Sequence, residues 1–338
     1  MQRVHADLLA RFPFPAVIDN TMYELWKTCP HKFFRAIVQG LKPAQRDPES
    51  GALRTPSNIH LHFGGALARG LEVTRKAFLN GDGQGEAIDT GAEALMHFWG
   101  QETFPDPLTR NEANKTINNC LLAHNDYFRH FSLDDPLHAI PSAEHVEVSG
   151  AAPIPGITHP TTSEPILYAG RFDAICSRYG ALFGLDDKTT GSNVESAAWQ
   201  SQWTLAGQFT GYTWLAETWG FRLSGFLIHG IQILTSSMKF AECATPRTPF
   251  HVSRWLAQLQ FDVREMILQY NAFLAHCSTT GVFDDAPHPF GQRLGGACHH
   301  YNRPCGFLDD ICNQPNPEDW IDNAFVVERW NPLQRDAD

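Results

Sequence analysis

Two short stretches of the sequence set carboxylates and a lysine where they could act together. Gly170-Arg171-Phe172-Asp173 is followed, beyond Arg178-Tyr179-Gly180, by Asp186-Asp187-Lys188-Thr189. If Tyr179 and Gly180 form a two-residue turn, Asp173 lies directly opposite Asp186, because residues equidistant from a hairpin turn pair across it. Lys188 then shares a face with Asp186, since strand side chains alternate, and Asp187 points to the other face. Facing carboxylates repel unless a cation lies between them. Oxygen ligands with retained waters suit Mg²⁺ or Mn²⁺, which polarises a phosphodiester oxygen and acidifies a water for attack. Lys188 would hold that water or stabilise charge developing on the phosphate. On an exposed edge the same residues would form solvated cross-strand ion pairs instead. The apolar lead-in Ala181-Leu182-Phe183-Gly184-Leu185 reads rather as an interior strand.

The cysteines form a second group. Cys29, Cys120, Cys176, Cys243 and Cys277 are scattered, as buried small hydrophobes are, whereas Cys298, Cys305 and Cys312 recur every seven residues. Three thiolates lack one ligand for a tetrahedral site, and a complete set of four would suit zinc or a [4Fe–4S] cluster. His299 and His300 are substitute ligands. Disulfides are the weaker alternative in a reducing cytosol.

The elements that must carry these residues follow from periodicity. Residues 20–41 read as two short helices meeting near Cys29, with Pro30 suited to a first helical turn. Further helical patterns cover residues 60–79, 88–100 and 111–131. Strands are expected over 142–148, 166–177 and 181–189, a helix over 194–219, a very apolar strand over 225–234 and a long helix over 252–275. The chain ends in a loop rich in Gly, Pro, His and Cys.

With 338 residues and 43% hydrophobic content, one elaborated α/β domain is expected. No run of apolar residues is long enough to span a membrane, and Met1 to Val17 is unlike a signal peptide, so a cytoplasmic protein with no membrane partner is expected. A net charge of -11 argues against holding nucleic acid by global positive charge and would confine DNA contacts to a groove. No Gly-x-x-x-x-Gly-Lys-[Ser/Thr] loop is present, so ATP hydrolysis would have to come from a partner.

Gly170-x-x-Asp173, Asp186-x-Lys188-Thr189 and Gln208-x-x-x-Tyr212 together resemble the RecB-like branch of the PD-(D/E)XK nucleases. Gln208 and Tyr212 are four apart and share a helix face. The resemblance implies a restriction-endonuclease-like core of helix, three strands, helix and strand. It covers 1–338 as a single elaborated domain: a mainly helical part over 1–140, a catalytic core over 141–235, and a helix with a cysteine clasp over 250–338. It implies a DNA exonuclease of phage or bacterial recombination or repair, with DNA as substrate and a recombination protein or helicase as partner. Asp173 and Asp186 would hold Mg²⁺ or Mn²⁺, and Glu144 or Glu147 on the first core strand would lie nearby. Phe63-Gly64-Gly65-Ala66-Leu67-Ala68-x-x-Leu71-Glu72 resembles the family's upstream helix, but Ala68 stands where the family has a metal-binding His. Glu72, His60, His62 or water would have to compensate. Cys29, in Trp26-Lys27-Thr28-Cys29-Pro30, matches the N-terminal cysteine of the iron–sulfur members of this branch, among them four-cysteine CRISPR-associated nucleases. It would complete a [4Fe–4S] site, or a zinc site, with Cys298, Cys305 and Cys312. Alternatives are a DNA-binding or assembly protein with a degenerate site, and a zinc-stabilised endonuclease.

Overall fold

The computed structural model describes residues 2–47, 50–104, 112–283, 288–300 and 303–334. It is a mixed α/β chain with a mixed sheet. Its principal strands are β1 (Val17–Ile18), β2 (Val146–Thr158), β3 (Pro165–Arg178), β4 (Ala181–Thr190), β5 (Leu223–Ile233) and β6 (Met238–Pro246). Its principal helices are α1 (Asn20–Thr28), α2 (Pro30–Phe33), α3 (Ile59–Leu79), α4 (Gln84–Trp99), α5 (Ile117–His130), α6 (Gly207–Thr218) and α7 (Pro249–Thr280). None of the described helices is long and apolar enough to cross a membrane. The chain forms two compact units, each drawing on several stretches of sequence: Met1–Pro56 with Ala151–Gly170 and Leu256–Asp338, and Ser57–Gly150 with Arg171–Trp255.

In the first unit, the Asp19 side chain accepts a hydrogen bond from the Met22 amide at 2.8 Å and starts α1. Cys29, in an extended conformation, ends α1 and begins α2, and Pro30 occupies the first turn as its missing N–H allows. Phe12, Phe34, Phe273 and Phe290 are fully buried and pack ring against ring behind this corner. The Tyr270 hydroxyl donates to the Phe12 carbonyl at 2.7 Å and closes that core.

The second unit holds α3, α4, α5 and α6 and a sheet made by the end of β3 with β4, β5 and β6. β3 and β4 are antiparallel, with Ala174 opposite Leu185 and Arg178 opposite Ala181. Tyr179 and Gly180 form the turn, both at positive φ (51° and 80°), the geometry that matches the twist of a two-residue hairpin. After α6 crosses over, β5 lies parallel to β4, and β6 returns antiparallel to β5 at the edge.

Four features differ from expectation. The first strand begins at Val146 after a 3-10 turn at Ala143–His145 and continues to Thr158, through Pro153 and Pro155 that argue against strand. β6, broken in pattern by Lys239 and Glu242, carries no sequence signal of an interior strand. The helix expected over 194–219 is two helices, Ala197–Ser201 and α6. Its interruption is filled by buried Arg247, whose guanidinium donates to the carbonyls of Trp203 (3.2 Å), Thr204 (3.1 Å) and Ala206 (3.2 Å). The carbonyls freed where the helix breaks are thereby given donors. The helix expected from residue 111 is α5, which starts at Ile117, and Asn111 lies outside the described residues.

α3 and α4 meet where neither has a side chain. A Cβ on Gly91 would lie 1.8 Å from Thr74 Oγ1 and 2.6 Å from the Gly70 carbonyl oxygen, whereas one on Gly85, in the same helix, meets nothing within 4 Å. Gly91→Ala should therefore cost about 1–3 kcal/mol or more through overpacking. Gly85→Ala should gain about 0.5–1 kcal/mol through lower backbone entropy in the unfolded chain. Urea unfolding of the two variants checks both signs.

Candidate functional site

Continuing the β3–β4 register by one pair sets Asp173 opposite Asp186. The Asp187 amide donates to Asp173 Oδ2 at 2.5 Å, fixing that carboxylate against β4. Lys188 Nζ lies 2.6 Å from Asp186 Oδ2, and Asp186 is 3% exposed. Gln208 Nε2 donates to Tyr212 Oη at 3.1 Å one helical turn away. α6 is brought down onto this face by aromatic packing. Phe226 lies against Phe172, Phe209 and Tyr212, and the absence of a side chain at Gly184 admits its ring, since a Cβ there would be 2.2 Å from it. The five residues read from the sequence thus share one site.

Their electrostatics show strain. Burial pushes Asp173 well above the ordinary carboxylate range, and the charges of Asp186, Asp187 and Glu147 push it further. Asp186 is also raised by burial, against the opposing pull of Lys188. Burial would lower Lys188, but Asp186 and Asp173 outweigh it and hold the ammonium charged. Tyr212 is pushed up to about 12 by burial and then by Asp186, so its hydroxyl stays a donor. Two carboxylates side by side thus resist ionising together.

Glu147, not Glu144, stands next to this pair. Glu144 is exposed on the turn before β2, whereas Glu147 acts electrostatically on Asp173 and lies 3.4 Å from Arg171 Nε. Glu147 has a φ of 57°, unusual for a residue with a side chain and a form of strain that gathers at functional sites. Glu72 is buried and paired along α3 with Lys76 at 2.5 Å and Arg69 at 3.1 Å. Ala68 is exposed, and His62 Nε2 lies 3.1 Å from the Trp99 carbonyl oxygen.

Asp187 points to the opposite face. It pairs with Arg75 at 2.7 Å and accepts from the Tyr127 hydroxyl at 2.8 Å, all three buried. Nothing in the spacing of Arg75 and Tyr127 signals this meeting.

In the first unit, Cys29, Cys298, Cys305 and Cys312 line one cavity together with His31, Arg293 and Phe307. None is in a disulfide. Burial pushes the Cys312 thiol up to about 11, with Cys305, Cys29 and Cys298 adding to the rise. The Arg293 amide donates to Cys29 Sγ at 3.5 Å. The loop is shaped by the Cys305 amide bonding to the Cys298 carbonyl at 2.7 Å and by a π-helical turn at Leu308–Cys312. Leu41, Phe307, Ile311 and Phe325 pack behind it. His299 is exposed on a short strand and does not line the cavity, the His300 side chain lies outside the described residues, and so does Tyr301. Cys120 and Cys176, by contrast, are buried and pushed up to about 12 by burial, as packing thiols are.

No family model matches this chain, and no curated protein matches it. Among solved structures, one titled "Crystal structure of SSO0001" is similar, with 12% identity over 61% of this chain and 84% of its own and a TM-score of 0.25.

The raised Asp173 and Asp186 have a signed consequence. A carboxyl raised in the folded state contributes stability that is full below its unfolded value of about 4 and is lost as pH climbs through the raised value. Metal-free protein should therefore lose melting temperature as pH rises above that range, and Mn²⁺ should restore it at neutral pH. Asp173→Asn, which keeps an acceptor for the Asp187 amide, should flatten both responses. Equal pH and Mn²⁺ profiles for wild type and Asp173→Asn in scanning calorimetry would remove the basis for a cation seat.

Proposed function

We propose that this protein is a divalent-metal-dependent deoxyribonuclease that degrades DNA from an end, built on a PD-(D/E)XK core. The observation that carries the proposal is the facing of Asp173 and Asp186 across a tight hairpin with the Lys188 amine 2.6 Å from Asp186. The order of antiparallel hairpin, α6 and parallel β5 supports the same reading. Asp173 and Asp186 would hold Mg²⁺ or Mn²⁺, which supplies Lewis acidity toward a phosphodiester oxygen. Lys188, kept protonated by both aspartates, donates to the attacking water or to the phosphate oxygen that gains charge. The Tyr212 hydroxyl, protonated and oriented by Gln208, offers a further donor on that face. Glu147 adds negative charge beside Asp173 and helps attract a cation.

The four cysteines support a second part of the reading: a [4Fe–4S] cluster that closes the first unit. Four thiolates at one cavity are the donor set of such a cluster or of structural zinc. Because the ligands lie about 270 residues apart in sequence, ligation would remove much unfolded-chain entropy, with stabilisation as its main effect.

Linear duplex and single-stranded DNA labelled at either terminus should be degraded in Mg²⁺ or Mn²⁺ and preserved in EDTA. Asp186→Ala and Lys188→Ala should each lose about a hundredfold or more in rate while remaining folded by circular dichroism. Cleavage by purified Asp186→Ala, or in EDTA, would sink the mechanism. DNA binding without cleavage by wild type would identify the degenerate relative instead, and cutting of closed circles an endonuclease.

Anaerobically purified protein should be brown and contain iron and sulfide. Replacing any one of Cys29, Cys298, Cys305 and Cys312 by Ala should lower the melting temperature more than replacing Cys243. Colourless protein with stoichiometric zinc would retain the ligand set and reject the cluster. Metal-free protein of undiminished stability would reject both.

A further inference from the structure

We infer that the face of the second unit opposite Asp186 carries a separate site for a zinc-class divalent cation, with His138, His229 and Glu242 as its ligands. One ligand atom from each residue lies within 4.8 Å of the others, the only such group of three among the described residues. His229 and Glu242 are direct partners in the β5–β6 register, so two of the three ligands are set by backbone hydrogen bonds. His138 arrives from the loop between α5 and β2.

The hydrogen bonds behind the ligands leave an electrostatic vacancy between them. Tyr127 has one proton, and Asp187 Oδ1, which can only accept, takes it at 2.8 Å. The Tyr127 oxygen therefore accepts from its other two neighbours, Arg75 Nη2 at 2.6 Å and His229 Nδ1 at 2.6 Å. His229 then carries its proton on Nδ1 and presents a bare Nε2 lone pair. That Nε2 is buried, makes no hydrogen bond, and faces Glu242 Oε2 at 3.4 Å. His138 is held by carboxylates on both sides: Nδ1 lies 3.0 Å from Asp135 Oδ2, and Nε2 is hydrogen-bonded to the same Glu242 oxygen at 2.5 Å. One Glu242 oxygen thus gathers two imidazole nitrogens, of which the buried His229 Nε2 brings it no hydrogen bond, and a cation in place of the His138 proton would answer both. A single divalent ion satisfies all three atoms together.

The outer contacts match those of a metal site. Each histidine has its far nitrogen tied to a hydroxyl or a carboxylate, and the second Glu242 oxygen is bonded by Arg178. Such partners fix tautomer and ring orientation. His229 is further held by Phe131, stacked on it at 3.7 Å and 3°. Two histidines and one carboxylate with an open position suit zinc, with water as the fourth ligand. The side chains of His138 and Glu242, 11% and 20% exposed, leave that position reachable. Oxygen-preferring Mg²⁺ does not suit this set, so the site is distinct in chemistry as well as in place from the paired aspartates.

The test is Zn²⁺ stoichiometry by equilibrium dialysis in excess Mg²⁺, with Co²⁺ as the spectroscopic probe. Wild type should bind one zinc equivalent beyond any held by cysteine. Co²⁺ at this site should give weak visible bands without the near-ultraviolet sulfur-to-metal absorption of a thiolate site. His138→Gln and Glu242→Gln, checked for folding by circular dichroism, should each lose that one equivalent and those bands. Should a variant unfold, the wild-type Co²⁺ spectrum alone decides. Absence of the weak bands, or zinc binding unchanged in a folded variant, would mean that the three residues form only a protonated hydrogen-bonded cluster and would overturn the inference.

Discussion

The buried ion pair between Arg75 and Asp187, 2.7 Å apart with side chains only 4% and 6% exposed, is the contact on which both faces of the second unit's sheet depend. β4 carries Asp186 and Asp187 in succession, and Asp173 approaches from β3. Three carboxylates so close would oppose folding if all were ionised without partners. Arg75 compensates one of them from α3, and Tyr127 and His229 extend that compensation toward β6. Removing one member of a buried pair commonly costs about 3–5 kcal/mol, because the other charge is left uncompensated.

That compensation is confined to one face, which gives the other its chemical character. Asp187 is satisfied by Arg75 and Tyr127, while Asp173 and Asp186 share Lys188 and the Asp187 amide between them. Alternation along a strand thus separates a neutralised network from an acidic pair that remains short of positive charge. The positive φ of Glu147 adds a further carboxylate to the deficient side at a local backbone cost.

The first unit solves a different problem, the closure of two distant ends of the chain. Val327 pairs with Leu41, and Phe325 with Pro43, bringing the terminal segment beside the π-helical turn that follows α2. The cysteine cavity lies in this same unit, lined from both ends of the chain. Its four thiols are soft donors brought together by that closure.

Local relations were legible from the residues themselves. The turn at Tyr179-Gly180 determines which strand positions face each other, so the meeting of Asp173 with Asp186 and Lys188 follows from counting outward from it. Helical repeat does the same for Gln208 and Tyr212, and Pro30 for the corner at Cys29. The phase at the start of β2 was not legible, because a 3-10 turn shifts it and exchanges Glu144 for Glu147. Nor was the break before α6, which depends on Arg247 arriving from after β6. Arg75, Tyr127, His138, His229 and Glu242 come from two helices, a loop and two strands, with no periodicity linking them. Sequence alone determined what short-range backbone geometry dictates: the hairpin, its facing acids and the helix faces. Only tertiary structure decided which distant charges meet, because the low dielectric of a packed interior makes each buried carboxylate select its partners from the whole fold.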